Sequence, residues 1–282
     1  MRIGSWNTEL RLTKLTDKSR GTPDKILNEI ERLDQDILVL PEAFRERPEQ
    51  GVDDSLRDMG YRWVDARYED KGREAQFDGA MPYMRVLSRL AIQSSEIVRF
   101  GDLRNTVAMT VLDPKTEKAV RIYGVHQRDD NREMRMVGIR DFATHYNESQ
   151  MLPTIAAGDW NASHGESWAT KIMGSGVLRA VSVRLPNASA RYYATGITDM
   201  VSGEELAEFE RLTGMRDLDL QRQPTTTPKI RGPLEVLPSI PLIQIDHMYA
   251  NNLIETSEVL VGKDAGSDHR SITAQINVVN GN

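Results

Sequence analysis

The stretch "DAGSDHRSIT" (264–273) sets an acid beside a base, Asp268 and His269, just after Gly266 and Ser267 and just ahead of the alternating run ITAQINVV (272–279). Alternation of that kind marks a strand with one buried face. Titratable side chains at the mouth of a strand add little to packing, because a buried charge is costly unless it is paired or bound to a metal. The same pattern recurs along the chain. MRIGSWN (1–7) reads as a strand ending on Asn7, and DILVLPEAF (36–44) as a continuous apolar run that stops at Pro41 and delivers Glu42. KAVRIYGVH (118–126) ends on His126, and LPTIAAGDWN (152–161) ends on Asp159, with Asn161 just beyond. LIQIDHMYA (242–250) alternates strictly and carries Asp246 and His247, one of which must face inward.

Helical signals fall between these strands. TPDKILNEIERL (22–33) has Thr22 as N-cap, Pro23 in the first turn, and Ile26, Leu27, Ile30 and Leu33 on one face. Met136, Ile139, Ala143 and Tyr146 form a stripe in MRMVGIRDFATHY (134–146). SGEELAEFERL (202–212) opens with a capping box from Ser202 to Glu205. MRVLSRLAIQSSEIVRF (84–100), TVAMTVLD (106–113) and KAVRIYGVH read as successive strands, the last two joined by the turn DPKTEK (113–118). From Gln221 to Ile240, prolines and glycines interrupt any period, which reads as a long loop. No repeat and no low-complexity linker divides the 282 residues, so residues 1–282 are expected to form one domain.

Composition narrows the function classes. A 39% apolar and 28% charged chain is ordinary for a globular protein, and no apolar run approaches the ~18 residues of a membrane span. Zero cysteines exclude disulfides and thiolate metal sites, and the N-terminus lacks the layout of a signal peptide, so a cytoplasmic protein is expected. A net charge of −6 disfavours a broad, non-specific grip on a polyanion. It permits phosphate binding at a site holding a divalent cation, whose own charge dominates locally.

If the carboxylates at the strand ends share one rim, they repel one another by several kcal/mol at ~4–5 Å for an effective dielectric of about 20. A divalent cation removes that conflict, and oxygen donors from Asp, Glu and Asn favour Mg²⁺ or Mn²⁺ over zinc. SWN, LPEAF, GVH, AAGDWNAS, QIDHMYA and GSDHR, in this order and spacing, resemble the endonuclease/exonuclease/phosphatase superfamily from Asn7 to His269. GDWNAS and GSDHR, with IDH upstream, are the most specific pieces.

The resemblance implies an α/β fold, a four-layer sandwich of two mixed β-sheets flanked by helices, and metal-dependent phosphoester hydrolysis of the nuclease phosphodiesterase type. It also implies roles. Glu42, with Asn7, would hold the metal, and Asp268 would complete the metal and water network. Asp159 would position or deprotonate the attacking water, and Asn161 would contact phosphoryl oxygens. His269 would sit by the phosphate, oriented by Asp246, with His126 on the other side. The implied substrate is nucleic acid, DNA first, with a phosphorylated small molecule as the alternative.

Each residue also has a plainer reading. Asn7 and Asn161 suit turns, Glu42 a solvated strand end, and His126 an ordinary satisfied histidine. His247 is read that way, since it faces opposite to Asp246; His145 is read as surface and His164 as a helix-start residue. Arg132, Arg135 and Arg140 fit either contact with phosphate or a solvated helix face, the latter being preferred. Thr225 to Thr227 fall where relatives place a threonine against the substrate backbone. YGVHQ (123–127) departs from the Asn-x-His-Leu pattern of lipid- and inositol-directed relatives, which counts against inositol phosphates. A catalytically silent binding scaffold is the third reading, although every implied side chain is present.

Overall fold

A computed structural model describes residues 1–10, 12–13, 22–68, 82–101, 104–127, 131–148, 152–164, 200–226, 243–263, 265 and 267–279. Among these, twelve strands and four helices follow one another as β1 (Arg2–Ser5), α1 (Pro23–Leu33), β2 (Ile37–Arg45), α2 (Val52–Asp58), β3 (Arg62–Arg67), β4 (Pro82–Ser88), β5 (Ile92–Val98), β6 (Thr106–Leu112), β7 (Ala119–His126), α3 (Arg132–Glu148), β8 (Thr154–Asp159), α4 (Glu204–Thr213), β9 (Arg216–Asp217), β10 (Asp246–Ala250), β11 (Ile254–Val261) and β12 (Ile272–Val278). They form two six-stranded sheets, ordered β11-β12-β1-β2-β4-β3 and β5-β6-β7-β8-β10-β9. Each sheet is mixed: β1 and β2 run parallel in the first, β7 and β8 in the second, and the other pairs are antiparallel.

The apolar periodicity explains the layers. Ile3, Ile37, Val39 and Val86 of the first sheet meet Met109, Ile122, Ile155 and Met248 of the second in the central core. The alternate residues of the first sheet, Leu38, Leu40 and Leu87, pack on Ile26 and Ile30 of α1 and Leu56 of α2. On the far side, Tyr123, Ala156 and Tyr249 pack on Ile139 and Phe142 of α3 and Leu206 and Phe209 of α4. The result is the four-layer α/β/β/α sandwich expected of the sequence.

Several local expectations are corrected. β2 does not stop at Pro41; it continues to Arg45 through an irregular register between Leu40 and Phe44, and Glu42 sits there with φ +46°. A bulge adds residues on one strand and re-aims a side chain, which here keeps pairing on both sides of Glu42. The stretch 84–100 is two strands, β4 and β5, in different sheets. The N-cap of α4 is Gly203, not Ser202; the Ser202 hydroxyl donates to the Glu205 carboxylate, and Glu205 is buried against Arg135 at 2.9 Å. Arg135 is therefore no solvated residue, and Arg132 pairs with Glu204. Residue 22 occupies the N-cap of α1 without a side-chain hydrogen bond. In the long-loop reading of 221–240, residues 227–240, and with them Thr227, lie outside the described residues.

One glycine permits the sheet that carries the site. Gly158 (φ +152°) pairs with Val125 in the parallel β7–β8 ladder, and a Cβ there would lie 1.8 Å from the Val125 carbonyl oxygen. Backbone cannot yield as a side-chain tip can, so the strands would have to part. Gly158→Ala is expected to destabilise the protein by roughly 3 kcal/mol or more. Urea unfolding against the unaltered protein checks this, and an unchanged midpoint refutes it.

Candidate active site

Three neighbouring strands of the second sheet put their chemistry in one row. In the ladder register His126 of β7 stands beside Asp159 of β8, and Asp159 beside Asp246 of β10. Strand register alone thus brings two carboxylates and an imidazole together from residues up to 120 positions apart. Asp159 and Asp246 are both buried.

The first and last strands of the other sheet close the row. The Trp6 indole N–H donates to the His269 carbonyl at 3.0 Å. The Ser267 hydroxyl donates to the Asn7 carbonyl at 2.7 Å and accepts from the His269 amide at 3.2 Å. Ser267 therefore ties the two chain ends, which is why a small hydroxyl residue precedes the Asp-His pair. His269 Nδ1–H donates to Asp246 Oδ2 at 2.9 Å, and its Nε2 lies 3.9 Å from both Asp159 Oδ2 and Asp268 Oδ1. Thr226 Oγ1 lies 3.3 Å from Asp246 Oδ2 and from His269 Nδ1, and Thr225 Oγ1 accepts the Ile245 and Asp246 amides at 3.2 Å. The threonine pair thus orients the Asp-His pair.

Asp159 is held on both oxygens. Asn7 Nδ2–H donates to Oδ2 at 2.9 Å, and the Asn161 amide donates to Oδ1 at 3.0 Å. Asn161 itself turns back at φ +47°, a conformation Asn tolerates, and its side-chain amide donates to the Gln127 carbonyl at 2.9 Å. Across the row, Glu42 Oε1 lies 3.8 Å from His126 Nε2, which is 3.6 Å from Asp159 Oδ2. Glu42 and Asp268 therefore flank Asp159 through His126 and His269, and all eight residues singled out in the sequence meet in one place.

Two participants escaped the sequence reading. Arg104, buried, contacts His126 Nε2, donates to the Gln127 carbonyl at 3.2 Å and lies 4.0 Å from Glu42 Oε1. A guanidinium only donates, so His126 Nε2 accepts and its Nδ1–H donates to the Tyr68 hydroxyl at 2.8 Å. Tyr68 in turn accepts the Glu42 amide at 3.1 Å, which pins the bulge. Neither Arg104 nor Tyr68 stands in a recognisable motif, and nothing in their local sequence signals them. His145 is half-buried against Phe100 and Tyr123. The residues after His164, on which its helix-start reading bears, lie outside the described residues; its Nε2 lies 3.0 Å from Asp217 Oδ2, and His247 Nδ1 lies 2.8 Å from the same oxygen on the sheet's other face.

Electrostatics separate the two central groups. Burial pushes the Asp159 carboxyl up to about 6, Asp246 adding to the rise and His269 opposing it. For His269, burial works against the charged ring, but the hydrogen-bonded Asp246 carboxylate outweighs it, with Asp159 and Asp268 adding, and the ring is pushed up to about 10. At neutral pH the arrangement is a carboxylate whose charge is strained beside an imidazolium. Among the described residues Asp246 Oδ1 is buried without a hydrogen-bond partner, which, beside a second buried carboxylate, marks a place where a cation would relieve an unmet charge. Asp159 and Asp246 bring one carboxylate oxygen each within 4.8 Å of one another and of a His269 ring nitrogen, and the oxygen-rich, thiolate-free surroundings fit a hard divalent ion.

The raised His269 pKa favours folding at low pH: that contribution is complete below the ordinary value of ~6.5 and is lost as pH rises through about 10. Imidazole NMR of the metal-free protein should show His269 protonated until near pH 10. Asp246→Asn should return its titration towards ~6.5. A midpoint unmoved by that substitution would refute the assignment of the shift to Asp246.

The sequence matches the model of the Endonuclease/Exonuclease/phosphatase family over residues 4–269. Comparison with curated proteins finds no match. Among solved structures, an endonuclease/exonuclease/phosphatase from Beutenbergia cavernae DSM 12333 is similar at TM-score 0.64 and 17% identity, covering 99% of this chain and 71% of that one. The 3′ phosphatase NExo from Neisseria, bound to a product DNA hairpin, is similar at TM-score 0.59 and 16% identity, with 98% and 99% covered. A mannosyl-6-phosphatase from Bacteroides thetaiotaomicron VPI-5482 is similar at TM-score 0.57 and 14% identity, with 98% and 99% covered. At these identities the likeness concerns the fold.

Proposed function

Because the chain belongs to the endonuclease/exonuclease/phosphatase family, a family of hydrolytic and generally divalent-metal-dependent phosphoesterases, we propose that it is a nuclease-type phosphodiesterase acting on nucleic acid, DNA first. The observation that supports this most is the buried row of His126, Asp159 and Asp246 with His269 locked on Asp246. Glu42, Asn7 and Asp268 would hold Mg²⁺ or Mn²⁺, which supplies Lewis acidity and lowers the pKa of a bound water.

The protein's own groups do the rest. Asp159, ionised above about pH 6, takes a proton from the attacking water. The donors from Asn7 and Asn161 fix its oxygens so that no reorientation is needed as the water–phosphorus bond forms. His269, kept protonated by Asp246, faces the charge that gathers on the non-bridging oxygens as the phosphorus–oxygen bond to the leaving group breaks. Arg104, held by His126, adds positive charge from the opposite wall, and Asn161 contributes a donor without a further negative charge. No helix of the described residues is long and apolar enough to cross a membrane; the cytoplasm is the compartment this reading assigns.

With Mg²⁺ or Mn²⁺ the protein should cleave an oligonucleotide or a model diester, and excess chelator should abolish turnover. Glu42→Gln and His269→Ala should each lower kcat/KM at least about a hundredfold. Full activity of His269→Ala, or turnover undiminished by chelator, refutes the mechanism. Arg104→Met should cost about ten- to a hundredfold with its fold intact by circular dichroism, an unchanged rate removing Arg104 from the site. A second reading, hydrolysis of a phosphomonoester or a small phosphodiester, is favoured by the net charge of −6, which resists a long polyanion. Turnover of sugar or nucleotide phosphates with none of oligonucleotides would select it.

A further inference from the structure

Behind the active row, on the helix-facing side of the second sheet, another group of ionisable side chains converges that the hydrolytic chemistry leaves unused. His247 follows Asp246 on β10 and so points to the opposite face, where it is fully buried. Its Nε2–H donates to the Ala162 carbonyl at 2.9 Å, and its Nδ1 lies 2.8 Å from Asp217 Oδ2. His164 Nε2 approaches the same oxygen at 3.0 Å, with the Tyr249 hydroxyl at 3.2 Å and Glu210 Oε1 of α4 at 3.9 Å. The other Asp217 oxygen accepts the Asp219 amide at 3.0 Å, so the carboxylate is fixed in orientation. Exposure rises outward, from 0% for the His247 side chain through 9% for His164 to 36% for Glu210.

We propose that His164, Asp217 and His247, with Glu210 at the rim, form a second cation site suited to a transition ion of the Zn²⁺ class. Two imidazoles and a carboxylate can present donor atoms within 4.8 Å of one another. Imidazole donors select Zn²⁺ over Mg²⁺, whereas the oxygen-rich active row selects the reverse. A zinc-bound histidine almost always gives its remaining ring N–H to a carbonyl or carboxylate, and the Ala162 carbonyl already serves His247 in this way. Bonds of ~2.0–2.1 Å in a tetrahedral site set donors about 3.3 Å apart, so the two His–Asp217 separations, 2.8 and 3.0 Å, have to open by only a few tenths of an ångström. Its ligands join the segment after β8, α4, β9 and β10, the elements behind Asp159 and Asp246. An ion there would brace the active row from the rear without touching substrate.

The test uses the full chain stripped of metal and then saturated with Mg²⁺ to occupy the active row. Calorimetric titration with Zn²⁺ should reveal a single Mg²⁺-insensitive equivalent accompanied by a rise in Tm. Co²⁺ in its place should give the strong visible absorption of a low-coordinate site. His164→Ala and Glu210→Gln, both towards the rim and checked for native circular dichroism, should weaken Zn²⁺ binding, the former at least ~10-fold. Glu42→Gln should leave it intact. Absence of that equivalent shows that the imidazoles merely hydrogen-bond Asp217, and overturns the proposal. So does binding that survives His164→Ala unchanged or disappears in Glu42→Gln. None of these readouts depends on turnover, so the site stands or falls separately from the hydrolytic reading.

Discussion

The structure is organised around placing two buried carboxylates, Asp159 and Asp246, side by side. Left alone, that pair would oppose folding, since neither desolvation nor mutual repulsion is favourable. The surrounding residues answer it one group at a time. His269 donates a hydrogen bond to Asp246 and offsets its charge, Asn7 and the Asn161 amide satisfy Asp159, and Thr226 supports the Asp246–His269 contact. One oxygen of Asp246 remains without a partner among the described residues. That residual imbalance is what a cation bound in the row, as proposed, would relieve.

Much of the remaining architecture keeps those groups in register. The sheet-to-sheet core of Val, Ile and Met side chains fixes the two sheets against each other, so that Asn7, Glu42 and the Asp268–His269 pair of one meet Asp159 and Asp246 of the other. Gly158 lets β7 and β8 come close enough to pair His126 with Asp159. The bulge in β2 turns Glu42 towards the row without ending the strand, and Tyr68 holds it by its amide. The helix-facing side has a polar centre of its own at Asp217, set into an aromatic layer of Trp160, Phe209 and Tyr249.

Substrate choice is a different matter from reaction type. The proposed chemistry rests on the row, but the fold itself is similar in proteins whose names include a 3′ phosphatase and a mannosyl-6-phosphatase. What distinguishes such proteins is what lines the approach to the row, and fold likeness at 17% identity or below does not carry that. The acidic net charge of this chain bears on that approach, since a polyanion is held only where local positive charge exceeds the general repulsion.

The sequence by itself determined the order of strands and helices and the polar residue at each strand end, because hydrophobic period and punctuation are local properties. Asn7, Glu42, His126, Asp159, Asn161, Asp268 and His269 were legible because each sits where such a period breaks off, and Asp246 because it is a charge carried inside a strictly alternating run. The ranges of α2, β3 and β11 were not, since their apolar signal is short or, as in β11, interrupted by exposed polar residues. Tertiary structure alone decided that β2 bulges rather than ends, that Arg135 is buried against Glu205, that Arg104 and Tyr68 join the site, and that His164 meets His247 across Asp217. Each of these depends on a contact between residues distant in the chain. Side-chain identity announces what a residue can do, but only the register between strands fixes which partner it does it with.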